Sequence, residues 1–174
     1  MSDLRKGVKL PPGENKNEWI AVSTVDFYNQ LSFILNPLLD FCKEETCPEM
    51  SAGPGFKYLY QKINTKDKPI TLCAREYICR VMEETEEIIE NESIFPPDTD
   101  VPFPKNFIEI VSKVFRRLFR IYAHLYHHHL DDIQKCQIQE QVNRSFRYFI
   151  FFAQEFELIP QEQLAPLESI IQQL

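Results

Sequence analysis

Residues 106–129 read NFIEIVSKVFRRLFRIYAHLYHHH. Phe107, Ile110, Val111, Val114, Leu118, Ile121 and Leu125 recur at the spacing of one helix face. The spacing predicts a long amphipathic helix over about 106–127. So apolar a stripe has to be covered by other elements, and the fold follows from what covers it. The same segment carries two chemical features. Lys113, Arg116, Arg117 and Arg120 fall on one flank beside the core stripe, and His124, His127, His128 and His129 cluster at the end.

The flanking sequence supplies the partners. Upstream, Ile20, Phe27, Leu31, Ile34, Leu35 and Leu38 predict a helix from Glu18, with Asn36-Pro37 expected to kink or restart it. A loop follows through Cys42, Cys47 and Gly53-Pro54-Gly55. Residues 57–60 and 69–72 then flank a polar turn and read as a minor β-hairpin. A second helix is expected over about 75–91, with Tyr77, Ile78, Val81, Met82, Ile88 and Ile89 inward. Glu83, Glu84, Glu86, Glu87 and Glu90 read as its solvated face. After a Pro-rich connection and the long helix, another helix is expected over about 133–156, with Phe146, Phe149, Ile150 and Ala153 inward. A short last helix ends at Leu174. The expected fold class is all-α: a helical bundle with a four-helix core, long loops and one minor hairpin. Residues 1–16 form a polar arm, and 17–174 a single helical domain.

Composition narrows the function. The chain has 174 residues, 44% hydrophobic and 26% charged, with a net charge of −7. An acidic chain of this kind is not expected to bind nucleic acid wholesale. No apolar run approaches the ~20 residues that span a bilayer, and residues 1–9 contain no signal-peptide core. The expectation is a soluble cytoplasmic protein, with nuclear residence also open. The five Cys do not read as a disulfide framework.

Cys42-x4-Cys47 with the His cluster supplies two thiolates and two imidazoles, a common tetrahedral zinc set. The alternative is two buried thiols and a surface run of His. His124 and His128 share a helix face at i, i+4. His129 joins His124 only if the helix loosens near its end. Cys73, Cys79 and Cys136 read as ordinary thiols. The Arg of the basic stripe suit phosphate oxygens, against the alternative of a flank paired with neighbouring Glu. Trp19, Val22 and Asp26, with Glu14 and Glu18 nearby, form an aromatic, acidic flank suited to a basic partner helix. The alternative there is that Trp19 packs on the domain itself. A His-Glu-x-x-His pair, a Gly-rich phosphate loop and a convincing nucleophile triad are all missing from the sequence.

Several segments resemble the Mob/phocein family, its kinase-activating Mob branch more than the phocein branch. They are residues 10–14, 17–22, 25–27, 41–42, 47–48, 50–54, 95–96, 101–107, 117–120, 122–124, 149–152 and 164–167. The match keeps its order over essentially the whole chain. The resemblance implies a zinc-stapled helical domain with one structural zinc on Cys42, Cys47, His124 and His129. It implies a non-catalytic co-activator and scaffold that binds the N-terminal regulatory region of an NDR/LATS-type AGC kinase through Glu14, Glu18, Trp19, Val22 and Asp26. It further implies a phosphopeptide pocket at Arg116, Arg117 and Arg120 for a phosphorylated Ste20-like kinase segment, in Hippo-type growth control and mitotic exit. Asp67-Lys68 stands where the family commonly has a Lys pair, which implies weaker or altered phosphopeptide binding. The alternatives are a phocein-like subunit of a striatin–phosphatase assembly and a zinc hydrolase.

Overall fold

A computed structural model describes residues 4–174; residues 1–3 of the arm lie outside the described residues. The α-helices are α1 (Leu4–Gly7), α2 (Lys16–Leu38), α3 (Ala74–Glu90), α4 (Phe107–His128), α5 (Leu130–Lys135), α6 (Gln139–Glu155) and α7 (Glu168–Ile171). Two 3-10 turns, Leu39–Phe41 and Gln161–Leu167, complete the regular structure among the described residues.

Helix α4 is the axis. Every residue of its expected stripe is buried, together with Phe115, Phe119, Tyr122, Ala123, His124 and Tyr126. Helices α2, α3 and α6 pack around it. The centre is aromatic: Phe115 stacks on Phe149 at 5.0 Å between centroids, and Phe27 meets Phe152 at 5.3 Å. Each such ring adds roughly 1.5–3 kcal/mol of burial, plus a smaller gain from ring geometry. Tyr122 reaches α6 with its hydroxyl 2.7 Å from Ser145 Oγ, so its buried polar tip is satisfied.

Helix α2 begins where Asn15 caps it, accepting the Glu18 N–H at 3.1 Å. Pro37 does not restart it, and the helix runs on through Leu38. The proline sits in the last turn, where it withholds the N–H that would otherwise bond the Phe33 carbonyl, and the chain tightens into the 3-10 turn that delivers Cys42. The helix expected over 133–156 is two helices. Gln137 adopts φ 58°, a left-handed conformation that ends α5 before α6 starts. The minor hairpin is a single antiparallel bridge, in which Tyr60 and Ile70 exchange N–H···O bonds of 2.8 and 2.9 Å.

One residue of the acidic run is not solvated. Glu83, Glu86, Glu87 and Glu90 are exposed, but Glu84 is 6% exposed. There α3 faces the 60–63 segment, and the Arg117 guanidinium provides the counter-charge. At the other end, α1 packs on α6. Val8 is buried, and Arg5 lies over the Phe151 ring at 4.1 Å.

Candidate functional site

The 3-10 turn after α2 presents Cys42, whose N–H bonds the Leu39 carbonyl at 3.1 Å. The next turn presents Cys47, whose N–H reaches the Lys43 carbonyl at 2.7 Å and whose carbonyl accepts the Ala74 N–H that opens α3. His124 projects from α4. His129 follows its last residue, at φ −129°, so the helix breaks there and the ring swings back beside His124. The loosening that a His129 ligand requires is present.

Cys42, Cys47, His124 and His129 are all buried, and their ligand atoms lie within 4.8 Å of one another. Cys42 Sγ is 3.5 Å from His124 Nε2, and Cys47 Sγ is 3.7 Å from His129 Nε2. A tetrahedral ion with metal–sulfur bonds of about 2.3 Å and metal–nitrogen bonds of about 2.0–2.1 Å sets sulfur–nitrogen edges near 3.5–3.6 Å. Both of these edges match, and the four groups can hold a metal ion. The outer contacts agree. His124 Nδ1–H donates to the Ser51 carbonyl at 2.7 Å, and His129 Nδ1–H to Asp132 Oδ2 at 2.8 Å. With both Nδ1 atoms acting as donors, both Nε2 lone pairs point into the cluster. His128 does not join. Its Nε2 lies 3.0 Å from Ser51 Oγ on an exposed edge. His127 packs against Gly53, where a Cβ would come within 3.0 Å of its ring at a backbone φ of +89°. A glycine is required there to seat the loop on the end of α4.

Burial lowers the His124 imidazole to about 4, helped by the nearby His rings and opposed by the Ser51 carbonyl. Burial, with the Cys47 thiol beside it, pushes the Cys42 thiol up. Both shifts favour neutral groups until a cation arrives. Between pH 6.5 and about 4 the unfolded chain takes up a proton at His124 that the folded chain refuses. Stability therefore falls as pH drops through that window. A bound metal acts in the same direction, because it and the proton compete for one lone pair. The urea midpoint is expected to be lower at pH 5 than at pH 7.5, and an unchanged midpoint would contradict the buried neutral imidazole.

The basic stripe opens on a groove of about 490 Å³ between α4 and the 57–69 segment. Arg116, Arg117, Arg120 and Lys113 line it from the helix, and Lys57 and Lys62 from the loop. The loop lysines were missed in the sequence because only the tertiary fold brings them there. Asp67 does not line the groove; its carbonyl accepts from Gln61 at 2.8 Å. Arg120 Nη1 donates to the Tyr77 hydroxyl at 2.9 Å, while its Nε is a buried donor without a partner among the described residues.

On α2, Val22 is 65% exposed and Asp26 is exposed, accepting from Gln30 at 2.9 Å. Glu18 and Val22 share a concavity with Pro96, Pro97, Asp98 and Phe103. Glu14 is exposed in the turn before α2. Trp19 is half-buried and turns toward the arm, its indole N–H donating to the Val8 carbonyl at 3.0 Å. None of the helices among the described residues is long and apolar enough to cross a membrane.

A helical bundle whose central helix and first loop close on a buried Cys2His2 cluster defines the class. The sequence profile of the Mob1/phocein family matches residues 1–167, and the chain belongs to that family. It is 44% identical over 168 residues to a "MOB kinase activator-like 3" of Drosophila melanogaster, covering 97% of this chain and 76% of that protein. A "MOB kinase activator-like 1B" of Medicago sativa subsp. falcata is 43% identical over 169 residues, covering 97% and 79%. A "MOB kinase activator-like 1A" of Arabidopsis thaliana is 41% identical over 172 residues, covering 99% and 80%.

Proposed function

We propose that this chain is a non-catalytic co-activator and scaffold for a protein kinase of the NDR/LATS type, working in the cytoplasm, its fold held by one structural zinc ion. The observation that carries the kinase reading is whole-chain similarity to relatives named as MOB kinase activators. Zinc is favoured by the donor set, since two thiolates and two imidazoles suit a borderline-soft tetrahedral ion. Four protein ligands also leave the ion no position for a reacting water, which favours a structural role over hydrolysis.

The acidic flank of Glu14, Glu18, Trp19, Val22 and Asp26 is the surface for the kinase N-terminal region. Exposed Val22 beside Glu18 offers an apolar anchor edged by negative charge, complementary to a basic amphipathic helix. The groove lined by Arg116, Arg117 and Arg120 takes a phosphorylated segment of an upstream Ste20-like kinase. Clustered cations lining one groove support an anionic ligand.

A phosphothreonine peptide is expected to bind while its unphosphorylated twin does not, with affinity falling as salt rises. Arg116→Glu is expected to abolish the difference between the two peptides. Calorimetric titration of both peptides tests this, and equal binding of the twins would remove the groove from the account. Co-precipitation with an NDR/LATS-type kinase against striatin tests the kinase reading; capture of striatin alone would replace it with a phosphatase-assembly subunit.

A further inference from the structure

Behind the basic groove sits a carboxylate that the groove reading does not use. Glu84 on α3 is 6% exposed and holds three donors. It accepts from Arg117 Nη1, from the Ile63 N–H at 2.6 Å and from the Tyr60 hydroxyl at 3.4 Å. The other arm of Arg117, Nη2, donates to the Gln61 carbonyl, and the guanidinium lies 5.7 Å from the Tyr60 ring centroid. Arg117 therefore gives an N–H of each Nη group to the protein, has its charge paired with Glu84, and is left with a side chain 13% exposed.

Its neighbours differ. Lys113 bonds Asn64 Oδ1 at 2.7 Å and lies 3.7 Å from Glu109 on the open surface. Lys57 pairs with exposed Glu49 at 3.1 Å. The side-chain charges of Arg116 and Lys62 have no hydrogen-bond or ion-pair partner among the described residues. Exposed pairs dissolve readily for a better anion. The Glu84–Arg117 pair does not, because removing Arg117 leaves a buried carboxylate without its cation, which costs more than one phosphate contact returns.

We propose that Glu84 is the specificity-determining residue of the groove, an internal anion that keeps Arg117 from the ligand and leaves one phosphoryl group to Arg116 and Arg120. Arg117 is then a positioning residue. Through Glu84 and Gln61 it clamps the 60–63 segment against α4 and so shapes the wall that carries Ile63 and Lys62. The inference rests on reading the groove as a phosphopeptide site.

The test uses the full metal-loaded chain, a synthetic peptide with one phosphothreonine between apolar residues, and its unphosphorylated twin. Glu84→Gln keeps size and shape but removes the counter-charge that holds Arg117. It is expected to tighten phosphopeptide binding about tenfold, the worth of one freed charge-assisted bond, with no gain for the twin. Structural damage would weaken binding, so a gain separates the two causes. Adding Arg117→Gln is expected to return affinity to the wild-type value, since the neutral pair keeps the wall without the freed cation. If Glu84→Gln alone proves unstable by melting, the double variant decides. Wild-type phosphate discrimination with no gain in Glu84→Gln overturns the inference alone. So does loss of discrimination in the double variant, which would make Arg117 a direct ligand. Twins that bind alike to every variant overturn the inference and the phosphopeptide reading together.

Discussion

Cys47→Ser protein is expected to come out without metal and largely unfolded. Cys47 and Cys42 sit in a loop, His124 and His129 at the far end of the central helix, and a metal held by the four would join the two. Binding of structural zinc in zinc-finger peptides is worth roughly 10–16 kcal/mol at neutral pH. A whole domain is stable by only about 5–15 kcal/mol. Losing one thiolate therefore removes a term as large as the net stability, even allowing for the aromatic core beneath. His129→Ala is expected to behave the same way. His128→Ala is expected to keep full metal, because that ring bonds Ser51 on an exposed edge and packs beside His124 without offering a nitrogen to the cluster. Metal content by mass spectrometry, with thermal melting of the same samples, checks all three. A folded Cys47→Ser protein carrying one metal per chain would show that the cluster is not the staple.

The residue types of this centre were legible in the sequence, but spacing did not choose its fourth residue; the family resemblance alone pointed to His129. Spacing alone ranks His128 above His129, because an unbroken helix places i and i+4 on one face. The break at His129 has no Gly or Pro to announce it; it follows from the next segment packing back, with Ile133 buried. Asp132, which orients His129, gave no signal at all. Helix α4 was the most legible element, since its stripe is long and keeps one period throughout. The split at Gln137 was hidden for the opposite reason, being a left-handed residue of a type with no special turn preference. Glu84 escaped because periodicity distinguishes an apolar face from a polar one, while a buried ion pair is made only when two distant segments meet.

Val22→Arg and Glu18→Lys are expected to cost kinase docking at least about 2 kcal/mol each if Val22 anchors the interface and Glu18 steers the encounter. Val22 is 65% exposed and supports nothing in the core. Its replacement therefore leaves fold and metal intact and places a positive charge where a basic helix must lie. Glu18→Lys is expected to act mainly on association rate and to lose its effect at high salt. Trp19→Ala is expected to weaken binding as well, mainly by faster dissociation. Trp19 also holds the Val8 carbonyl, so its loss loosens the arm, and Val22→Arg is the cleaner probe. Surface-plasmon kinetics on metal-loaded proteins, with the kinase N-terminal region immobilised, separate the two rates. Wild-type kinetics for both Val22→Arg and Glu18→Lys would place the kinase elsewhere on the surface.

The claim on which the rest depends is that this chain raises the activity of a kinase without doing chemistry of its own. The direct measurement is the phosphotransfer rate of an NDR/LATS-type kinase that retains its N-terminal region, titrated with the metal-loaded chain. The account predicts a rate that climbs and saturates at one chain per kinase, and that stays at its basal value when Val22→Arg protein is added instead. A rate unchanged by the wild-type chain at saturating concentration, or raised equally by the Val22→Arg variant, would contradict it.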